Sequence, residues 1–345
     1  MTMEDRQQTL RITLEEVEQV LPRQVPRSLR PRTASYGNIA HPIAAKATPQ
    51  KGSIFFHAWF YLGAGGLLGS LTAWAIAEPG YVDGPVEAWG NLWLMPMVVS
   101  LMCVGLAVAE SLLERSRPKI LRRAALSLLL GTVLGFFLNR VADLIYTAAL
   151  NFCGAAAVKA ISPSTWIARG VAWAVIGIAG GIVYGVVGRS TKKAGYGMLG
   201  GALGAALGGV IFDPISLLTH GGAPSRAIGL CLLGLSTGSA IGLVESAFKN
   251  RWLYVTAGPL AGKQFILYKN ETTIGSNPGC DIYLFKDAEI EPDHAVLELR
   301  ASCLYLKANG PVSVAGQPIR EEQILDSGVD LQIGRYRFLY QEKER

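Results

Sequence analysis

The 345-residue sequence predicts a polytopic all-α membrane bundle of about six glycine-zipper-type helices followed by an all-β sandwich. Three observations carry that prediction. From 55 to 244 the chain is apolar with sparse charge, whereas 1–54 and 249–345 carry most of the charge. Basic residues alternate between rich and poor in successive connections of the apolar zone. After residue 252 the pattern changes to short strand-like runs separated by turn residues.

Residues 1–54 open without a basic, apolar leader, so no secretory signal peptide is expected and this segment is placed in the cytosol. "TLRITLEEVEQVL" can form a short helix with Leu10, Ile12, Val17, Val20 and Leu21 as its apolar residues. The stretch after it is rich in Pro and Arg, has six basic and no acidic residues over 22–51, and is expected to be largely disordered. Such a tail is drawn to anionic headgroups, at about 1 kcal/mol per basic residue near the surface. Ser28, Thr33 and Ser35 follow arginines and are candidate sites for a basophilic kinase.

A helix needs about 20 apolar residues to cross the hydrocarbon, because every backbone polar group must be paired within it. Segments 55–77, 92–109, 124–146, 170–188, 194–212 and 227–244 qualify within a transmembrane domain spanning 55–248. Ten basic residues fall in the connections after the second, fourth and sixth segments (Arg115, Arg117, Lys119, Arg122, Arg123; Arg189, Lys192, Lys193; Lys249, Arg251). Three, Lys159, Arg169 and Arg226, fall in the others. An excess of Lys and Arg marks the cytosolic side, so both ends of the chain are expected in the cytosol.

Glycine spacing describes how the helices meet. Gly177, Gly181 and Gly185, then Gly200, Gly204 and Gly208, then Gly234, Gly238 and Gly242 each recur every four residues. Residues four apart share a helix face, and glycine there lets backbones approach. The last three spans are therefore expected to pack closely, with Gly65, Gly69, Gly131 and Gly135 hinting at the same device earlier. A weak echo at an offset of 74 residues, 114–135 against 188–209, reads either as a duplicated hairpin or as convergence on basic turns and glycine. Ionisable residues are few: Arg140 and Asp143 can pair at helical spacing, Asp213 with Pro214 is expected to end the fifth span, and His57 marks the inner edge of the first. Cys103, Cys153, Cys231, Cys280 and Cys303 are too scattered for a metal site or a disulfide scaffold and read as buried thiols.

The carboxy-terminal zone, 252–345, contains "WLYVTAG", "KQFILY", "CDIYL", "HAVLELR", "CLYLKA", "PVSVAG" and "LQIGRYRFLY". With "TTIGSNPGCDIYLFKDAEIEPDHAVLEL", "NGPVSVAGQPI" and "VDLQIGRYRFLY" it resembles the forkhead-associated (FHA) domain over most of 252–343. That family implies an eleven-stranded β-sandwich whose loops at one end bind phosphothreonine peptides. Gly275 matches its first glycine, Asp281, Ile282 and Leu284 its acidic-hydrophobic strand, His294 and Ala295 the end of its Ser-x-x-His motif, and Asn309 with Gly310 its Asn-Gly turn. The resemblance makes His294 an organiser of the loop. The conserved Arg falls on Ser276 and the phosphate-binding Ser on Glu291. A phosphate seeks cations and hydrogen-bond donors, and an ionised Glu291 supplies neither. Ser276, Asn277 and Lys286 are the remaining candidates for a substitute pocket.

Nothing in the sequence suggests catalysis: there is no Gly-Lys phosphate cradle and no nucleophile–base pairing, and no cofactor or metal is implied. The basic balance is concentrated beside the membrane, which gives no support for nucleic-acid binding. The reading is an integral membrane scaffold or signalling adaptor displaying a cytosolic FHA-like domain to a cytosolic or membrane protein partner. That contact is either phosphate-independent, self-association included, or phosphothreonine-dependent. A small transporter or channel with a regulatory FHA domain is the alternative of a different class.

Overall fold

The computed structural model describes residues 54–83, 88–114, 117–153, 162–319 and 321–343. The amino-terminal helix, the basic tail and Ser28, Thr33 and Ser35 lie outside the described residues. Helices α1 (Ala58–Ala77), α2 (Trp89–Leu113), α3 (Arg117–Cys153), α4 (Pro163–Val187), α5 (Thr191–Leu218) and α6 (Gly222–Phe248) are each long and apolar enough to cross a membrane. Each packs against its neighbour in chain order, and α6 closes against α1. On α3 the apolar residues Leu129, Val133, Phe137 and Leu144 are exposed, a stripe that turns away from the other helices as a lipid-facing surface does.

The turns have local causes. Between α4 and α5, Arg189 is left-handed at φ 53° and Ser190 N–H donates back to Gly185 O at 3.1 Å, closing α4. The Ser190 hydroxyl then accepts from Lys193 N at 3.3 Å and starts α5. Between α5 and α6, His220, Gly221 and Gly222 all have positive φ.

Contrary to the expectation that Pro214 stops the fifth span, α5 runs through it to Leu218, and Asp213 is buried inside the protein. Its carboxylate meets Arg169 Nε of α4 at 3.0 Å, and the Arg169 guanidinium lies 5.1 Å from both the Tyr146 and Phe212 rings. The ion pair holds Asp213 where headgroups were expected to. At the same end, Arg226 of α6 bridges Glu78 and Asp83, each at 2.6 Å, beneath the Tyr81 ring. Arg140 and Asp143 are exposed and form no ion pair within 4 Å among the described residues; Asp143 accepts from Asn139 instead.

The helices meet at their glycines. A Cβ on Gly177, Gly181 or Gly185 would stand 2.0–2.2 Å from the α5 backbone at Gly201, Gly197 or Ala194. On the other face of α5, a Cβ on Gly200, Gly204 or Gly208 would stand 2.6, 2.3 and 3.0 Å from α6. The seam continues further than the last three spans. A Cβ on Gly234, Gly238 or Gly242 would stand 2.1–2.3 Å from the α1 backbone, and Gly65 and Gly69 of α1 press in turn on Gly105 and Leu101 of α2. A Cβ on Gly131 or Gly135 of α3 would stand 2.8 or 3.0 Å from Ser100 or Pro96 of α2.

Two residues, Lys249 and Asn250, separate α6 from the sandwich. Strands β1 (Arg251–Ala257), β2 (Gln264–Ile266), β3 (Glu271–Gly275), β4 (Ile282–Tyr283), β5 (Ala295–Arg300), β6 (Cys303–Ala308), β7 (Val312–Val314), β8 (Gln317–Ile319), β9 (Glu322–Leu325), β10 (Asp330–Ile333) and β11 (Tyr336–Glu342) form two sheets. Their orders are β2-β1-β11-β10-β7-β8 and β4-β3-β5-β6-β9. Alternate side chains point inward, so Leu253, Val255, Ile274, Leu297, Leu306, Leu331, Ile333, Phe338 and Tyr340 fill a single core. The buried Tyr336 hydroxyl donates to Phe285 O at 2.7 Å and accepts from Phe285 N at 3.1 Å, fixing the β4–β5 loop to β11. Cys103 and Cys280 are buried free thiols, whereas Cys231 and Cys303 are only half-buried.

The seam generates a direct test. Gly201→Leu drives a side chain into Gly177 O, 2.2 Å from its Cβ, and is expected to lower stability by about 1–3 kcal/mol or more through overpacking. Gly195→Ala on the same helix, where a Cβ meets nothing within 4 Å, is expected to hold or raise stability through helix propensity, by at most about 1 kcal/mol. Thermal unfolding of both variants in detergent micelles distinguishes them.

Candidate functional site

The loops at one end of the sandwich are organised by a buried histidine. His294 Nδ1 accepts from Glu291 N–H at 3.0 Å, so the proton resides on Nε2, which donates to Pro311 O at 3.0 Å. Its carbonyl accepts from the N–H groups of Asn309 and Gly310, both at 2.9 Å. Gly310 lies against the imidazole so closely that a Cβ would stand 2.4 Å from the ring. Asn309 Nδ2 donates to Asp293 O at 3.0 Å. One side chain thus ties the β4–β5 and β6–β7 loops together.

The β3–β4 loop joins the same cluster through its backbone. Ser276 N–H donates to Glu291 O at 2.9 Å and Asn277 N–H to Pro292 O at 3.1 Å. Gly275 is required there, because a Cβ would stand 2.0 Å from Pro292 O. Asn277 Oδ1 accepts from Gly279 N at 2.8 Å. The geometry therefore gathers Gly275, Ser276, Asn277, Glu291, His294, Asn309 and Gly310. Lys286 is exposed at φ 61° and makes no ion pair or hydrogen bond among the described residues. Glu291 and Asp293 both present exposed carboxylates at this rim, and the backbone donors of Ser276 and Asn277 are already used within the loops.

A second cluster, which the sequence does not announce, lies where one end of the helix bundle meets the sandwich. Glu110 of α2 receives Lys193 Nζ of α5 at 2.5 Å and faces Arg123 of α3 at 3.8 Å. Glu114 receives Arg123 and Lys119, each at 3.3 Å. Lys119 Nζ also donates to Cys280 O at 2.6 Å, so α3 grips the β3–β4 loop. Tyr184 donates to Glu245 Oε2 at 3.1 Å, and the Lys193 ammonium lies 4.1 Å from the Tyr184 ring. On the sandwich side stand Lys263, whose ammonium lies 4.5 Å from the Phe265 ring, and Tyr268. Arg123 and Lys193 look in sequence like ordinary topology markers. The overlooked signal is the acids Glu110, Glu114 and Glu245 at the ends of spans whose flanks are basic.

Comparison with known proteins places this domain. Residues 254–344 match the family model described as the inner membrane component of T3SS, cytoplasmic domain. The oxoglutarate dehydrogenase inhibitor of Corynebacterium diphtheriae is 32% identical over 96 residues, covering 27% of this chain and 66% of that protein, just under two thirds of its length. Among solved structures, the FHA domain of a Chlamydia trachomatis protein is 25% identical, covering 28% of this chain and 99% of that one, at a TM-score of 0.26. The amino-terminal FHA domain of a Saccharomyces cerevisiae protein, solved with a phosphothreonine peptide, is 17% identical, covering 27% and 94%, also at 0.26. The chain carries six long apolar helices and, over the residues that the family model matches, a carboxy-terminal two-sheet sandwich.

The loop lock and the charge cluster each predict an outcome. His294→Ala empties a buried site and removes the acceptor of Glu291 N–H and the donor to Pro311 O, and is expected to cost about 2–4 kcal/mol, with amide exchange rising at 291–294 and 309–311. Burial pushes the Lys263 ammonium down to about 8, below the roughly 10.4 of an unfolded lysine. Between those values the unfolded chain binds more protons, so this residue makes stability rise with pH. Lys263→Met is therefore expected to melt above the wild type most clearly below pH ~8, with the gap closing towards pH ~10, as melting curves across pH will show.

Proposed function

We propose that the protein is an integral membrane scaffold that holds an FHA-type domain at the cytosolic face and recruits a protein partner through the loop end without requiring phosphate. The observation that carries this reading is the chemistry of the rim. Where a phosphate needs a cation and free donors, the loops present Glu291 and Asp293 as exposed carboxylates and spend the Ser276 and Asn277 amides on each other's neighbours. Repulsion and the lack of a charge-assisted bond both oppose a phosphothreonine. The His294 lock keeps the loops rigid, which lowers the ordering cost of a protein contact at this end.

Placement at the inner side of a cytoplasmic membrane is supported by the charge of the connections. The sandwich lies against the end of the bundle that carries Lys119, Arg123 and Lys193, the basic side that faces the cytosol under the positive-inside rule. An even number of spans returns the segment before α1 to the same side. The family model named for a cytoplasmic domain of an inner membrane component agrees with this placement, and the curated relative named as an inhibitor of another protein agrees with a role in protein contact.

Two measurements test the reading. Full-length protein in nanodiscs, probed with paired phosphorylated and unphosphorylated threonine peptides, is expected to bind both members of a pair equally. Ser276→Arg combined with Glu291→Ser is expected to introduce a preference for the phosphorylated member of about tenfold or more, the size of one added hydrogen bond to a charged group. A phosphate-dependent wild type contradicts the proposal. For topology, burial pushes the Cys280 thiol up to about 11, so the half-buried Cys303 is the better reporter. Impermeant thiol reagents applied outside intact cells are expected to leave it unlabelled even after unfolding, and to label it once the membrane is opened.

A further inference from the structure

We propose that the cavity between the inner end of the bundle and the sandwich binds a small zwitterion, a molecule joining a primary ammonium to a carboxylate or phosphate. The cavity holds about 120 Å³, somewhat less than the ~150 Å³ of a cavity that takes benzene. Most of the charged side chains around it neutralise one another: Glu110 with Lys193, Glu114 with Arg123, and Asp281 with Lys269. Glu245 and Lys263 do not.

Glu245 is 2% exposed. Its Oε2 accepts from Tyr184 and Tyr268 approaches the same carboxylate, yet Oε1 is buried with no hydrogen-bond partner. Lys263 is 7% exposed, and among the described residues its ammonium lies over the Phe265 ring and makes no hydrogen bond and no ion pair within 4 Å. An acceptor and a donor thus line one cavity, both withdrawn from water and both unmatched, an arrangement that is costly unless something completes it.

The surroundings select the ligand's charge pattern. A simple cation would satisfy Glu245 alone and a simple anion Lys263 alone, each leaving the other group unmatched. A molecule with both charges serves the two at once: its ammonium donates to Glu245 Oε1, and its anionic group accepts from Lys263. The cavity wall includes Thr272, Asp281 and Ile282, which flank the β3–β4 loop, so an occupant would sit directly behind the recognition rim. Its position at the inner ends of the helices allows the same chemistry to come from a free cytosolic zwitterion or from an ethanolamine phospholipid headgroup.

The test uses the full chain. In detergent, isothermal titration with phosphoethanolamine or glycine is expected to saturate, while ethanolamine or inorganic phosphate alone binds at least about tenfold more weakly, each having lost one charged contact. Glu245→Gln and Lys263→Met are each expected to weaken the zwitterion by about tenfold to a hundredfold. Lys263→Met relieves a buried charge and should melt higher than the wild type, so its loss of binding cannot be misfolding. Protein released from nanodiscs with and without phosphatidylethanolamine supplies the second arm, read by native mass spectrometry. An ethanolamine lipid retained by the wild type and lost from both variants identifies the headgroup as the ligand; saturation by the soluble probes alone identifies a free one. No saturable binding in either arm, or binding unchanged in both variants, overturns the proposal.

Discussion

The Glu110 carboxylate, held between Lys193 and Arg123 at the inner ends of three helices, is the contact on which the rest of the arrangement depends. Removing charges from water is expensive: Lys193 is buried and Glu110 and Arg123 are half-buried, so a lost partner leaves part of the roughly 3–5 kcal/mol that a fully buried, unpaired charge costs. α2, α3 and α5 must therefore end together, and something must cover them. The sandwich is that cover. It follows α6 after two residues, and Lys119 secures it by bonding at once to Glu114 and to Cys280 O of the β3–β4 loop. Such convergence is feasible because the helices have no side chains in the way. Gly177 against Gly201 and Gly234 against Gly66 bring the backbones into contact along a seam that passes through α4, α5, α6 and α1. At the far end, Arg226 with Glu78 and Asp83, and Arg169 with Asp213, bind the helices by the same rule.

The recognition end of the sandwich combines a strict frame with an altered rim. His294 is buried and fully used, with both ring nitrogens bonded and Gly310 lying on its face. Any neighbour that filled the space at Gly275 or Gly310 would break the loops apart. The rim side chains are under no such constraint, and there Glu291 and Asp293 carry exposed carboxylates. A rigid frame with a carboxylate-bearing rim is the basis of the proposed phosphate-independent protein contact.

The fold class was legible because it rests on long-range composition. Six apolar stretches, glycine at every fourth position and the FHA-like pattern around Gly275 and His294 are all properties of the chain itself. What escaped depends on tertiary partners. Pro214 reads as a stop in isolation, but α5 continues because Arg169 arrives from α4 to hold Asp213 inside the protein. The glycines of α6 announce a close approach without naming α1 as the helix approached. Strands β8 and β9 are too short and exposed to show alternation, and in "LQIGRYRFLY" Gly334, at φ 53°, folds one apparent strand into the β10–β11 hairpin. At the loop end of the sandwich the residues were legible but not their use: the Ser276 and Asn277 amides are spent on Glu291 and Pro292, which only the folded loops bring within reach. The charge cluster was hidden most completely, because Arg123 and Lys193 already had a sufficient explanation in topology.

Charge withdrawn from water thus fixes the sandwich onto the bundle. Pulsed electron spin resonance on the full chain in nanodiscs can read this, with spin labels at Leu218 on α5 and at Gln317 on β8, both exposed. One narrow distance distribution is expected in the wild type, broadening in Glu110→Gln. A broad or multiple distribution in the wild type, or a narrow one that Glu110→Gln leaves unchanged, would contradict it.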